Sequence, residues 1–440
     1  MARRTRRQPP RPAPSDRFTL EIRDIGVMGD GIAALPDGRT TFIDGALPGE
    51  IVEAEVTFLE QGPPRGRLVN IVRASPSRRE PPCPIARLCG GCMAQHLDDK
   101  AYIDWKTRAV STAFEAAGLD TTCLEPMQRT GERTRRRAVW QFRLGEGRLL
   151  LGYSVRRGNR IIDATSCLLL EPALQNVMDG LRRELPTLLT GPVVRRGRIL
   201  VTASDSGPDV LLELDHEPDL ELLQGFSGLA ERLDLARLSW RNGARGEATP
   251  AAARRQPTVK FGEINIAIPT GAFLQASSAG EALIRQAVAE ALADTDGPVL
   301  DLYAGLGSLS CPVASNRPVH AVEGMERMAT SLASAARRSA VASRLTTETR
   351  DLDRRPVITS DLDRYSAVIL DPPRAGARHQ VSELAGCEKL TRLVYVSCSS
   401  DSFARDTALL VKAGWRLTWV RPIDQFLYSD QTELVARLDR

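Results

Sequence analysis

Hydrophobic and polar positions alternate along residues 16–73, in FTLEIRDIG, in GDGIAALPDGRTTFIDGALPGEIVEAEVTF and in GRLVNIVRASP, with Gly, Pro and Asp breaking the runs at short intervals. A period of two marks strands that bury one face, and turns this frequent predict a small β-barrel. The pattern changes near residue 98. AYIDWKTRAVSTAFEAAG has helical spacing, whereas RRRAVWQFRL, RLLLGYSV, RILVTASD and DVLLELD read as strands, so residues 98–260 predict a separate α+β domain. From residue 262 short apolar runs alternate with helical stretches: PVLDLYA, PVHAVEG, SAVILDPP and RLVYVSC, each followed by a helix, then WRLTWVRPID and ELVARLD. That order predicts a doubly wound, largely parallel sheet. There is no internal repeat.

Composition agrees with several packed domains: 440 residues at 42% hydrophobic content can build two or three cores. No apolar run reaches the length of a membrane span, and the N-terminus lacks the apolar stretch of a secretory signal, so a cytosolic protein without a membrane partner is expected. Lys and Arg outnumber Asp and Glu by 59 to 55, a modest excess that permits a nucleic-acid partner without requiring one. The first 17 residues hold six arginines and four prolines, which predicts a disordered basic arm over residues 1–15, free to touch nucleic acid or simply solvated. Arginines cluster at Arg133, Arg135, Arg136 and Arg137, at Arg156, Arg157 and Arg160, and at Arg195, Arg196 and Arg198. Only five basic residues are lysine, so arginine is favoured along the whole chain and each cluster is a weak signal by itself.

Three cysteines, Cys83, Cys89 and Cys92, fall within ten residues, and Cys167 follows in the next domain. In a cytosolic chain such spacing suggests metal before disulfide, either zinc or an iron–sulfur cluster. The five-then-two spacing differs from that of zinc ribbons and from the three-then-two spacing of radical enzymes that cleave S-adenosylmethionine. Cys123, Cys311 and Cys387 read as packing residues.

VLDLYAGLGSLS, residues 299–310, reads as a strand ending in Asp301 followed by a glycine-containing turn and a helix, where Gly305 and Gly307 permit close backbone approach to a ligand. Glu323 ends the next strand 22 residues after Asp301, where an acid can accept hydrogen bonds from ribose hydroxyls of NAD or S-adenosylmethionine. The third glycine of a dinucleotide fingerprint is missing, which argues against a pyrophosphate. Asp371 ends another strand and is followed by Pro372 and Pro373, which stiffen the loop beside the carboxylate. Cys398 follows the apolar run Leu393–Val396 at a strand's C-terminal end, where ligands bind in open α/β sheets; from that stretch alone it is either a nucleophile or a small packing residue.

Together these motifs resemble the RNA 5-methyluridine (uracil-C5) methyltransferase family, in its iron–sulfur branch that modifies large-subunit (23S) ribosomal RNA. The resemblance spans nearly the whole chain: the barrel, the four cysteines, FLQASS, VLDLYAGLGSLS, AVEG, ILDPPRAGA, VYVSC and TELVARL. It implies a TRAM-like barrel over residues 16–74 and an iron–sulfur segment with a central α+β RNA-binding domain over 75–261. A Rossmann-like class I methyltransferase domain would span 262–440. Gln275, Tyr303, Ser308, Glu323, Asp351 and Asp371 would line the S-adenosylmethionine pocket. Cys398 would be the nucleophile and Glu433 the general base, while Cys83, Cys89, Cys92 and Cys167 would hold a structural four-iron, four-sulfur (4Fe-4S) cluster. The chain departs from the family in having Ser399 and Ser400 after the nucleophile, where Asn-Pro is usual, and Gln431 two residues before the base, where His is common.

The implied reaction needs these groups. Carbon-5 of uracil is a weak nucleophile until a thiolate adds to carbon-6, so the strand-end, helix-start setting of Cys398 is expected to favour the ionised thiol. A base must then remove the carbon-5 proton. A target base that has to leave its stack suits an exposed RNA loop. The expectation is therefore a monomeric, cytoplasmic enzyme acting on ribosomal RNA. The same reaction on transfer RNA and a non-catalytic iron–sulfur RNA-binding or assembly factor stand as alternatives.

Overall fold

The computed structural model describes residues 15–145, 148–189 and 196–440; positions 1–14 of the expected basic arm, and Arg195 of the third arginine cluster, lie outside the described residues. The chain divides into two units. One comprises residues 1–87, 92–106 and 428–430, and the other residues 88–91, 107–427 and 431–440.

The first unit is built on a six-stranded sheet in the order Ser15–Glu21, Ile51–Thr57, Arg65–Arg73, Thr40–Asp44, Asp30–Ala34, Asp24–Ile25. Strand Ile51–Thr57 shows why: its residues alternate between half-buried and buried, and Val52, Ala54 and Val56 reach the core with Leu20, Ile43 and Ala46. Gly66 lies inside that core, where a Cβ would come within 2.9 Å of Ile43. The first residue of the opening strand, Ser15, is already paired with Thr57. Glu50 is buried and held by Arg78, whose Nη2 donates to Glu50 Oε2 at 2.8 Å and to the Gly45 carbonyl at 2.7 Å.

The second unit carries two large sheets. The central one orders its strands Ile161–Asp163, Arg148–Ser154, Arg137–Gly145, Arg196–Ser204, Gly207–Leu214, Arg237–Asn242, Thr249–Ala253, with helices Pro172–Leu188 and Leu220–Arg232 packed on it. Its pairs are antiparallel except that between Gly207–Leu214 and Arg237–Asn242. The C-terminal sheet has eight strands in the order Leu345–Thr349, Val319–Glu323, Val299–Leu302, Ala367–Leu370, Arg392–Ser397, Glu433–Asp439, Arg416–Asp424, Gln128–Arg129. The first five are mutually parallel, and the order reverses between Val299–Leu302 and Ala367–Leu370. In a doubly wound sheet that reversal opens a crevice at the strands' C-terminal ends. Strand Glu433–Asp439 runs antiparallel to Arg392–Ser397, with Ser397 opposite Leu434, so its first residue, Glu433, lies at the same edge as Cys398.

Two features depart from the pattern reading. The last strand of the C-terminal sheet, Gln128–Arg129, comes from the preceding domain and pairs with Ile423 and Asp424. The helix behind the glycine turn is a single turn, Ser310–Val313, which contains Pro312 and closes with the Ala314 amide donating to the Ser310 and Pro312 carbonyls. No helix among the described residues is long and apolar enough to cross a membrane.

Candidate active site

Cys398 leaves the buried strand Arg392–Ser397 one residue before Ser399, which caps helix Ser400–Lys412 by accepting from the Ser402 amide at 3.5 Å. Serine is a strong N-cap, so the two serines that replace the usual Asn-Pro start this helix without a proline. Asp371 follows strand Ala367–Leu370, and its amide donates to the Leu302 carbonyl at 3.3 Å, which draws it to the end of strand Val299–Leu302. The loop behind Asp371 is tied down by Asp406, which accepts from the Ala377 amide at 2.9 Å and from the Tyr395 hydroxyl at 2.8 Å.

Electrostatics show that these groups converge. Burial pushes the Cys398 thiol up to about 11, the charges of Glu433 and Asp371 add to that, and Arg374 opposes them. Glu433, only 2% exposed, is raised to about 7 by burial against an opposing hydrogen bond from Gln425. Asp371 is driven well above the usual carboxylate range by burial and by the charges of Glu433 and Asp301. Asp301 is raised to about 7 by burial while the Ser310 hydroxyl donates to it. Its Oδ1 has no hydrogen-bond partner among the described residues. The expectation that the helix start would keep Cys398 ionised is therefore corrected: burial of the thiol, with the charges of Glu433 and Asp371 added to it, outweighs the helix terminus.

The glycine turn is conformationally demanding. Tyr303, Gly305 and Gly307 have φ of 62°, 59° and 84°, and a Cβ on Gly307 would fall 2.6 Å from Leu332. The Tyr303 hydroxyl donates to Asp353 at 3.1 Å, and Ser308 is half-buried in the same turn. Glu323 braces this turn by accepting from the Gly305 amide at 2.8 Å and the Met325 amide at 2.7 Å. Each oxygen retains a second lone-pair direction, so hydroxyl donors can still be met. The Arg350 amide donates to the Glu323 carbonyl at 3.0 Å, which places exposed Asp351 next in chain, where it accepts from the Asp353 and Arg354 amides. Gln275 is buried, with its side-chain oxygen accepting from Gln425 Nε2 at 2.9 Å. The structure thus groups Asp301, Asp371, Cys398, Glu433 and Gln275 tightly, and sets Tyr303, Ser308, Glu323 and Asp351 around the adjoining turn.

Two residues escaped the sequence reading. Gln425 joins Gln275 to Glu433. Phe273, two residues before Gln275, is 56% exposed, and the Arg137 guanidinium lies 5.2 Å from its ring centroid. An exposed aromatic backed by a cation is a surface for stacking a base. Arg136 has a different fate: it is buried, donating to Glu281 at 2.8 Å and to the Gln275 carbonyl at 3.0 Å. Part of that arginine cluster therefore supports the pocket and is not free for phosphate. In the third cluster, Arg196 and Arg198 pair with Asp215 and Glu213.

The four cysteines are divided between the two units. Cys83 and Cys92 belong to the first unit and Cys89 and Cys167 to the second. In the second unit Cys89 bridges to Val155, and Cys167 interacts with the hydroxyl of Tyr153 on the same strand run. The donors are all thiols, the type a cluster takes. Yet among the described residues no three His, Cys, Asp or Glu side chains are grouped as a metal ion requires.

A family described as tRNA (Uracil-5-)-methyltransferase matches residues 258–440, and the TRAM domain matches residues 16–69. An uncharacterized RNA methyltransferase of Brucella melitensis is 35% identical over 424 residues, covering 96% of this chain and 97% of the relative. The chain belongs to the RNA (uracil-5-)-methyltransferase family. Another relative, the 23S rRNA (uracil(1939)-C(5))-methyltransferase RlmD of Pectobacterium atrosepticum, is 30% identical over 441 residues, covering 96% of this chain and 94% of that one. Among solved structures, the tRNA (uracil-54, C5)-methyltransferase of Pyrococcus abyssi, in complex with S-adenosyl-L-homocysteine, superposes with a TM-score of 0.70. It is 19% identical and covers 96% of this chain and 100% of that chain, so the fold is shared. Membership makes the protein an S-adenosylmethionine-dependent RNA methyltransferase of uracil carbon-5 with an N-terminal TRAM domain, and the non-catalytic alternative gives way.

Proposed function

We propose that the enzyme methylates carbon-5 of a uridine in an exposed loop of 23S ribosomal RNA through a covalent adduct between Cys398 and carbon-6. The observation that carries this reading is the placement of Cys398, Glu433 and Asp371 at one sheet edge, close enough for the charges of Glu433 and Asp371 to act on the thiol and that of Glu433 on Asp371. Because the thiol rests protonated, it gives its proton to water before sulfur bonds to carbon-6, which leaves Glu433 ionised for the later step while the carbon-5=carbon-6 electron pair moves toward carbon-5 and O4. S-adenosylmethionine supplies a sulfonium methyl, which carbon-5 takes as the carbon–sulfur pair returns to sulfur. Glu433 then removes the carbon-5 proton, the double bond re-forms, and Cys398 leaves as thiolate. A base near neutral is well matched to that task, and Glu433 at about 7 fits it. Burial favours the neutral forms of Asp301 and Asp371, and a cationic methyl donor received beside them would favour their ionisation. Gln275, Tyr303, Ser308, Glu323, Asp351 and Asp371 are the proposed lining of its pocket.

Ribosomal RNA is favoured over transfer RNA as substrate by the relative that acts on 23S rRNA along nearly the whole chain. Mapping 5-methyluridine in both RNAs from cells lacking the gene tests this. Loss of one methyl from 23S rRNA supports the reading; loss from transfer RNA alone replaces it with the other substrate.

The four cysteines are proposed as ligands of a 4Fe-4S cluster with a structural role, since no step above needs an electron. Anaerobically purified protein should carry iron and acid-labile sulfide and absorb in the visible, and Cys167→Ala should lose both. Zinc without sulfide would refute the cluster. The protein is also proposed to act as a monomer, which sizing by light scattering checks.

A further inference from the structure

We propose that Gln425 is a positioning residue that fixes one oxygen of the Glu433 carboxylate and ties it to the side chain of Gln275; this rests on the reading of Glu433 as the base. Gln425 directly follows strand Arg416–Asp424 and is 5% exposed. Its Nε2 donates to Glu433 Oε2 at 2.7 Å and to Gln275 Oε1 at 2.9 Å. A primary amide nitrogen carries two hydrogens, one for each acceptor, whereas the flipped amide would set oxygen against a carboxylate and a carbonyl. The orientation therefore follows from the partners.

The back of the side chain is equally constrained. A Cβ on Gly280, in helix Ser278–Leu292, would sit 2.5 Å from the Gln425 Cβ and 2.8 Å from its Oε1. That Oε1 is buried with no hydrogen-bond partner among the described residues. An unsatisfied buried oxygen destabilises a fold, and leucine or methionine would fill the same space without it. A local rule broken beside reacting groups points to a functional use, here the nitrogen. Holding Oε2 leaves Oε1 of Glu433 to meet the carbon-5 proton. A donor to the ionised carboxylate also opposes the burial that favours its neutral form. The other groups facing Glu433 are Asp371 and Cys398, with Asp301 and Arg374 beyond them, and among the described residues none of these donates a hydrogen bond to its carboxylate.

The test is kcat and KM against pH for the full-length protein, with RNA substrate and S-adenosylmethionine, in wild type, Gln425→Leu, Gln425→Met and Glu433→Gln. Thermal melting checks that each is folded. Losing a hydrogen bond to a charged group should move the acid limb of kcat up by about one to two pH units, so turnover below the limb falls roughly tenfold to a hundredfold. KM for RNA should stay within about twofold, because only proton removal is affected. Gly280→Ala, which displaces the amide without deleting it, should shift the limb in the same direction. An unmoved limb in either folded Gln425 variant overturns the proposal. If Glu433→Gln itself turns over normally, the assignment of the base fails; if Glu433→Gln is crippled while Gln425→Leu matches wild type, only the role of Gln425 fails.

Discussion

At the scale of single residues, the site is governed by three acids held where charge is expensive. Glu433 titrates near 4.5 in the unfolded chain and about 7 in the folded one, so it favours the fold below 4.5 and that contribution is lost as pH rises through 7. Asp301, raised from 3.8 to about 7, acts in the same direction. Stability should accordingly decline between about pH 4 and about pH 7, and Glu433→Gln, which cannot ionise, should melt with a shallower decline. Calorimetry across that range checks the sign, and a steeper decline in the variant would contradict it. Phe273 belongs to this scale too. Base–aromatic stacking contributes about 1–3 kcal/mol, so Phe273→Ala should weaken RNA binding by roughly fivefold to a hundredfold while leaving S-adenosylmethionine affinity unchanged. Filter binding and calorimetric titration separate the two ligands.

At the scale of elements, strand ends do the positioning. Apolar runs made strands Val299–Leu302, Ala367–Leu370 and Arg392–Ser397 legible in the sequence, and with them the places of Asp301, Asp371 and Cys398, because each acid or thiol interrupts its own run at the carboxyl end. Glu433 was legible as an acid at the head of an apolar strand. What could not be read was the company these groups keep. The thiol's upward shift comes first from burial and then from Glu433 and Asp371, which reach it only through sheet order. Gln425 has no motif, since its meaning depends on Gly280, 145 positions away in the chain, lacking a Cβ. Strand Gln128–Arg129 is two residues long and takes its register from Ile423 and Asp424, so no periodicity announces it. The Ser399 cap gives a prediction at this level: Ser399→Ala should cost about 1 kcal/mol of stability, since the Ser402 amide loses its acceptor, while Ser399→Asp should restore it. Denaturant unfolding monitored at the C-terminal domain measures both.

At the scale of the whole molecule, RNA binding should depend on salt through the arginines that remain free of partners, not through the total charge of +4. Several arginines of the clusters are committed to Glu281, Glu213 and Asp215, which lowers the number available to phosphate. Each true phosphate contact should contribute about 0.7 to 0.9 to the slope of log affinity against log salt, and deleting residues 1–14 should reduce the slope if the arm meets RNA. An unchanged slope assigns binding to the folded units alone. The central claim, that Cys398 attacks carbon-6 and Glu433 completes the reaction, is tested most directly by one gel. Glu433→Gln is incubated with RNA and S-adenosylmethionine labelled in the methyl group, then run under denaturing conditions. The label should migrate with a protein–RNA adduct that wild type does not accumulate, and should be absent from the double variant Cys398→Ala, Glu433→Gln. A Glu433→Gln enzyme that releases methylated RNA freely, or an adduct that survives loss of Cys398, would contradict the account.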